Sequence, residues 1–419
     1  MSTITIVIFI GTLLAVLTRP RGLNEGIAAL IGAVLMLLVG AVSVPSALHV
    51  LAINWNVFLF FLGMLTVTGL AEQAGIFAWL AIAAARLARG SQRLLLLNVF
   101  LLGVLVSTFL TNDATALVLT PIVYSVVRRL DLDPLPYLFT CTFIADTASL
   151  TLPVSNPINL IIGDHFALTT LDFLRYLLVP SIAAIAVNMA VFFLLFHRRI
   201  RERFDMTTIR PEAPAAHPQF FRYTALVLVL LALAFVGAGS TGVPAGIVAA
   251  VGAALLLAGA QGWRVLNPRR FVQDFSWGIF PFVAGLFVVV RGVESVGLTS
   301  PVAHTLHGAG GNVLLTALLS TGVSALGTNL INNVPMALVL LSAIGPTHGA
   351  VGHALVYGAI LGCDLGPNLT TTGSLSTMLW LLLLRQRGLQ VSSLHYARYG
   401  ILVTPLMLVV TSGLLGVMA

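Results

Sequence analysis

Residues 55–75 read WNVFLFFLGMLTVTGLAEQAG, and residues 277–297 read WGIFPFVAGLFVVVRGVESVG. At a constant offset of 222, Trp55, Phe58, Phe60, Gly63, Val67, Glu72 and Gly75 meet Trp277, Phe280, Phe282, Gly285, Val289, Glu294 and Gly297 without a gap. Two apolar helices share Leu and Val by composition alone, but matched Trp and Glu, and the matched Asn below, need another reason. Further on, the ALVL of 116–119 meets the ALVL of 337–340 at an offset of 221, which pairs Asn112 with Asn333. Asp146 then falls roughly opposite Asp364. The pattern predicts a duplicated unit.

The surroundings of these segments fix the environment. Of 419 residues, 58% are apolar and only 8% are charged. A soluble domain carries roughly a quarter charged residues, so the composition predicts an integral membrane protein. Apolar runs of membrane-crossing length recur from 3–18 to 398–418. The first, 3–18, lacks a basic flank and a small-residue cleavage site, and reads as a retained span. All 21 basic residues are Arg. Without Lys the chain holds neither a Walker A loop nor a Schiff-base amine. Its formal charge of +7 sits between apolar spans, where membrane orientation explains it better than nucleic acid does.

Basic residues mark the cytoplasmic side. Arg19 and Arg21, then Arg86, Arg89 and Arg93, then Arg128 and Arg129 all read as internal. Two apolar arms separate Arg93 from Arg128, so 94–127 is predicted to be a re-entrant hairpin with its tip at Thr111-Asn112-Asp113. With 198–222, 264–270 and 385–398 also inside, 19 of 21 Arg are cytoplasmic and Arg175 and Arg291 are not. Span 54–75 then runs inward and 277–297 outward, which makes the repeats inverted. The expected architecture is an all-α polytopic membrane protein of about ten spans. Residues 1–196 form the first repeat, with hairpin 94–127 and broken helix 136–162. A cytoplasmic linker covers 197–222. Residues 223–419 form the second repeat, with hairpin 312–345 and broken helix 353–384. Both termini are expected outside.

Inverted repeats with interrupted helices suit transporters that bind substrate near the midplane. Pro and Gly open the helices at Asp146–Asn159 and at Asp364–Ser374, and free backbone groups for a ligand. The candidate substrate-binding residues are Thr111, Asn112, Thr147, Ser155, Asn156, Asn159, Asn332, Asn333, Asn368, Thr371, Thr372 and Ser374. These amides and hydroxyls suit a small, mostly neutral, polyhydroxylated solute. Carboxylates in hydrocarbon are costly and functional by default, so Asp113, Asp146 and Asp364 are candidate proton carriers. The competing reading is that each caps a half-helix. Glu72 and Glu294 read as structural, with Glu294 one turn from Arg291.

The stretches TNDATALVLTPIV (111–123), FIADTASLTLPVSNPINLIIGDHF (143–166) and LGCDLGPNLTTTGSLSTMLWLLLLRQRG (361–388) resemble the arsenical pump membrane proteins of the ion transporter superfamily. The resemblance spans nearly the whole chain in order. It implies efflux of trivalent arsenite and antimonite hydroxides across a bacterial cytoplasmic membrane, in exchange for protons, and arsenic resistance. No cofactor and no resident metal are expected, and a soluble ATPase partner and a homodimer stay open. The alternatives on this scaffold are a sodium/proton antiporter, another oxyacid or anion carrier, or the membrane subunit of an ATPase-driven pump. The chain departs from the family pattern at Asn368, where a basic residue is expected.

Cys141 and Cys363 lie in the two broken helices. They read either as thiols meeting a thiophilic metalloid or, better, as small apolar packing residues. Strong thiolate ligation would trap a substrate that has to leave. His304, His307, His348 and His353 have no accompanying Cys or carboxylate and read as loop residues. Arg198, Arg199, Arg201 and Arg203 read as orientation marks rather than a docking site for acidic protein or anionic lipid.

Overall fold

The computed structural model describes residues 2–200, 203–205, 207, 217–266, 268–297 and 299–419. These residues form helices and turns; among them the extended pairing is a single bridge between Ser91 and Arg203. The first half contains α1 (Ser2–Thr18), α2 (Glu25–Leu38), α3 (Val44–Ile53), α4 (Trp55–Gln73), α5 (Ile76–Leu87), α6 (Gln92–Phe109), α7 (Thr120–Arg129), α8 (Leu135–Ala148), α9 (Pro157–His165) and α10 (Thr170–Phe196). The second contains α11 (Pro218–Thr241), α12 (Ala245–Gly262), α13 (Pro268–Asp274), α14 (Ile279–Ser295), α15 (Ser300–His307), α16 (Val313–Ile331), α17 (Asn333–Ile344), α18 (Gly349–Leu365), α19 (Leu375–Gln386) and α20 (Ser393–Met418).

Among the described residues eight helices are long and apolar enough to cross a membrane, or nine if α14 and α15 count as one span. Helices α1 and α2 are apolar but shorter, at 17 and 14 residues. Side-chain caps start many of the helices. Ser91 accepts from the Leu94 amide, Asn312 accepts from that of Leu315, and Thr169 forms a reciprocal capping box with Asp172. The long helices α10, α11 and α20 turn Leu194, Leu233 and Val409 outward, each more than 60% exposed. Apolar side chains on an outer face are what lipid requires.

Several boundaries differ from the sequence expectation. The run 24–42 stops at Leu38, where Gly40 takes a left-handed φ of 73°, and Ser43 then caps the unforeseen helix α3. Helix α5 was likewise absent from the sequence reading: Gly75, at φ 82°, ends the α4 segment and lets a second helix begin. At the linker, α11 starts at Pro218 rather than 223, because Pro at the first turn has no amide to leave unpaired. Helix α20 starts at Ser393, which places Arg398 on a helix rather than in a loop. The middle of the expected linker, including Arg201, lies outside the described residues.

Three Arg-bearing segments, before α6, after α7 and in the linker, meet at one end. Arg199 pairs with Asp133 at 3.2 Å, and the Phe204 amide donates to the Gly90 carbonyl at 2.9 Å. The chain before α6 and the chain after α7 therefore meet the same linker segment, at Phe204 and Arg199. Helix α6 ends at Phe109 and helix resumes at Asn112, through a π-helical stretch over Ala114–Leu119, so the chain reverses at the expected tip. At the same end Trp263 donates to the Gln219 side chain at 3.0 Å, and Arg387 lies over the Tyr124 ring. Arg291 lies at the other end, 2.8 Å from Glu294, the partner that the spacing suggested.

Two helix crossings match each other closely. A Cβ on Gly63 of α4 would lie 2.6 Å from the backbone of Ala249 on α12, and a Cβ on Gly285 of α14 would lie 2.5 Å from that of Ala29 on α2. A Cβ on Gly246 would meet the Asn56 carbonyl oxygen at 2.5 Å, and one on Gly26 would meet that of Gly278 at 2.6 Å. Each half thus lays its Trp-led helix against a small-residue helix of the other half. Gly63→Ala or Gly285→Ala should cost about 1–3 kcal/mol by forcing these backbones apart. Gly11→Ala, which meets nothing within 4 Å, should be neutral or slightly stabilising. Thermal unfolding in detergent checks the contrast.

Candidate functional site

The two broken helices meet at the centre of the protein. Helix α8 gives way after Ala148 to short 3-10 turns over Ser149–Thr151 and Pro153–Ser155, and Pro157 opens α9. Pro153 and Pro157 cannot donate to a preceding turn, so the helix cannot continue through them. Helix α18 gives way to a 3-10 turn at Gly366–Leu369 and resumes as α19 at Leu375. Gly373 is required there, because a Cβ would fall 2.5 Å from the Pro367 Cα.

Each break is tied to the hairpin of its own half. Asn112 at the first tip donates to Asp146 at 3.2 Å, and Ser155 donates to the Thr108 carbonyl at 2.7 Å. At the second tip Asn332 has a left-handed φ of 75°, unusual for a residue with a side chain. Its amide nitrogen donates to the Thr372 carbonyl at 3.1 Å, and the Asn333 backbone donates to Gly373 at 3.0 Å. Asn329, one turn earlier, donates to the Gly366 carbonyl and accepts from Thr370.

The halves then bind each other. Asn156 donates to Asp364 at 2.6 Å, and Ser149 donates to the same oxygen at 3.4 Å. In return Thr377 reaches Asp146 at 3.5 Å and Ser376 donates to Asp113. Asn368 donates to Thr147 at 3.1 Å and to the Phe143 carbonyl at 3.3 Å. Asn188, from the middle of α10, donates to Thr147 at 2.7 Å. Asp146 and Asp364 are no more than 1% exposed. The partners of all three carboxylates are amides and hydroxyls, and the ion pairs among the described residues lie elsewhere.

The match to known proteins covers the same extent as this fold. The family model for the arsenical pump membrane protein matches residues 4–418. The chain belongs to the arsenical pump membrane protein family. The arsenical pump membrane protein of Escherichia coli K12 is 36% identical over 411 residues, which is 96% of each chain. A putative arsenical pump membrane protein of Bacillus subtilis is 28% identical over 433 residues, again 96% of each. Among solved structures, the Alcanivorax borkumensis YdaH transporter, described as having an unusual topology, superposes with a TM-score of 0.57 at 17% identity. It covers 86% of this chain and 84% of its own, and shows that the fold is shared.

Within this arsenical pump family member the predicted site residues separate into two groups. Asn112, Asp113, Asp146, Thr147, Asn156, Asn159, Asp364 and Asn368 converge around the two breaks. Thr111, Ser374 and Asn332 work as caps instead, accepting from the amides of Ala114, Thr377 and Val334. Thr371 turns away to Ser393 at 3.1 Å, and Thr372 donates to the Asn329 carbonyl. The reading of Asp146 and Asp364 as helix caps is corrected here. Asp146 and Asp364 lie in the last turns of α8 and α18, where no free amide points at them, and neutral side chains cap the half-helices. Asn368, where a basic residue was expected, is directed at Thr147 and not at Asp364. Cys141 and Cys363 are fully buried. At about 100° per residue they are rotated roughly 140° and 100° from their neighbouring Asp.

Sequence reading missed Asn188, Ser149, Ser376 and Thr377. Asn188 carried a signal, as a lone amide in an otherwise apolar span. Ser149 and the α19 hydroxyls carried none, because Ser and Thr are common in apolar helices. A separate cavity of about 490 Å³ opens at the Arg291 end, lined by His49, Asp164, His165, Arg291 and Glu294, and includes none of the central residues. Asn156→Ala removes both the α9 cap and the 2.6 Å donor to Asp364, and should cost about 1–3 kcal/mol. An unchanged melting temperature in detergent would show that the bond between the halves is dispensable.

Proposed function

We propose that the chain exports trivalent arsenic and antimony as their neutral hydroxides across the bacterial cytoplasmic membrane in exchange for protons, and so confers resistance. One observation carries this reading. Three buried oxygens at the centre, Asn159 Oδ1, Asn188 Oδ1 and Asn368 Oδ1, meet no hydrogen-bond donor among the described residues. Buried acceptors left unmet are costly, and a metalloid trihydroxide offers three O–H donors to such a set. An oxyanion would find acceptors where it needs donors, and no Arg among the described ion pairs stands by to bind it. The carboxylates Asp146 and Asp364 hold or release a proton beside this set.

The matched crossings at Gly63 and Gly285 support the inverted duplication, and alternating access follows naturally when one such half rocks against the other. Sodium also binds oxygens, which keeps a sodium/proton antiporter as the competing reading. Everted vesicles bearing only this protein separate the two. Arsenite uptake driven by a proton gradient and abolished by an uncoupler is the expected result. Proton release driven by sodium without arsenite movement would favour the antiporter, and uptake only with an added soluble ATPase would make the chain a pump subunit. In the same assay Asp146→Asn should abolish coupled uptake with membrane insertion intact. Retained wild-type uptake would remove Asp146 from the coupling.

A further inference from the structure

A further group of polar side chains is buried beside the carboxylates, on the side of Asp146 where Thr377 reaches it. On α8, Thr142 lies one turn before Asp146 and shares its face. On α19, Thr377 and Trp380 are likewise one turn apart. From α20, the Tyr396 hydroxyl lies beside Thr377 and Thr142. Thr142, Thr377, Trp380 and Tyr396 are at most 1% exposed. Thr377 reaches Asp146, the Tyr396 hydroxyl lies within reach of Thr377 and Thr142, and Trp380 Nε1 meets no partner among the described residues. The rings of Trp380 and Tyr396 are 6.1 Å apart, and Phe139 and Phe143 close the space at 5.5 Å from Trp380 and 5.0 Å from Tyr396. A buried indole N–H without a partner, beside hydroxyls that both donate and accept, offers an ordered water the two to four polar partners it needs.

We propose that Thr142, Thr377, Trp380 and Tyr396 hold a short file of water that carries protons between Asp146 and the Arg-rich end of the protein. The path continues where α20 approaches that end. There His395 and Tyr399 are half-buried, 3.3 Å apart, and flank the same Phe139 ring. The titratable groups that face this path are Asp146 and Tyr396, with Asp113 beyond Asp146 and His395 and Tyr399 at the outlet. When Asp146 gives up its proton, its O–H bond breaks and one forms on the first water. That water passes a different proton onward, and each oxygen along the file gains one O–H bond as it loses another. Asp146 ends as the carboxylate and one proton leaves at the far end. Thr142, Thr377 and Trp380 act as positioning residues. Tyr396 orients the file with an O–H that both donates and accepts.

The inference rests on proton exchange as the function, and the experiment keeps the two apart. Everted vesicles carrying wild type, Tyr396→Phe or Thr142→Val are assayed for arsenite uptake, arsenite-dependent proton flux in H2O and D2O, and, after solubilisation, equilibrium arsenite binding. Tyr396→Phe keeps the ring and removes one hydroxyl. Thr142→Val keeps the shape, so it carries the test if the first variant does not fold. The expected result is a fall in proton flux of roughly tenfold or more, a larger slowing in D2O than in wild type, and unchanged arsenite binding. Wild-type flux and isotope effect in both variants would overturn the relay while leaving proton exchange in place. Equal loss of binding and flux would also overturn it, in favour of a structural role. Wild-type vesicles that move arsenite but no protons would overturn both.

Discussion

A helix that stops inside an apolar interior frees amides and carbonyls that water cannot reach, and every one of them needs a partner. That constraint organises the centre of this protein. The breaks at Ser149–Asn156 and Gly366–Ser374 survive because Asn, Ser and Thr side chains stand in for the missing helical bonds. Asn159 donates to the carbonyls of Ser149 and Leu152, Asn329 donates to that of Gly366, and Asn332 donates to that of Thr372. Neutral groups do this at little electrostatic cost, which leaves Asp146 and Asp364 out of the capping positions and available for other chemistry.

The same economy joins the two halves. Asn156 completes its cap of α9 with one atom and bonds Asp364 with the other. Asn368 spans from the second break to Thr147 on α8, where Asn188 also arrives. Neither break is completed by its own half alone, so a displacement of one half is felt at the carboxylate of the other. The crossings at Gly63 against Ala249 and Gly285 against Ala29 have no bulky side chain between the backbones. Surfaces of that kind permit close approach and present few knobs to lock a single register.

Charge is distributed along one axis. Three Arg-bearing segments meet at one end, the carboxylates that pair only with amides and hydroxyls lie in the middle, and the cavity with Arg291 and Glu294 lies at the other end. The net charge of +7 describes the ends. At the centre the amide oxygens of Asn159, Asn188 and Asn368 lack a donor among the described residues.

The sequence by itself determined the membrane class, the reversal near Thr111, the two breaks and most of the residues gathered at them. Hydropathy, Pro and Gly act locally, and their effects are written in consecutive residues. It missed α3 and α5, short helices whose starts depend on a single Ser or Gly beside a longer apolar run. It could not separate a cap from a carboxylate's partner, because Ser374 and Ser376, or Asn332 and Asn329, look alike in one dimension. Only the tertiary structure decided that Asn156 belongs to Asp364, that Asn188 joins the site from a distant span, and that Thr371 faces away. Those choices depend on which helix faces cross, and that is fixed by close packing between segments 22 to 208 residues apart.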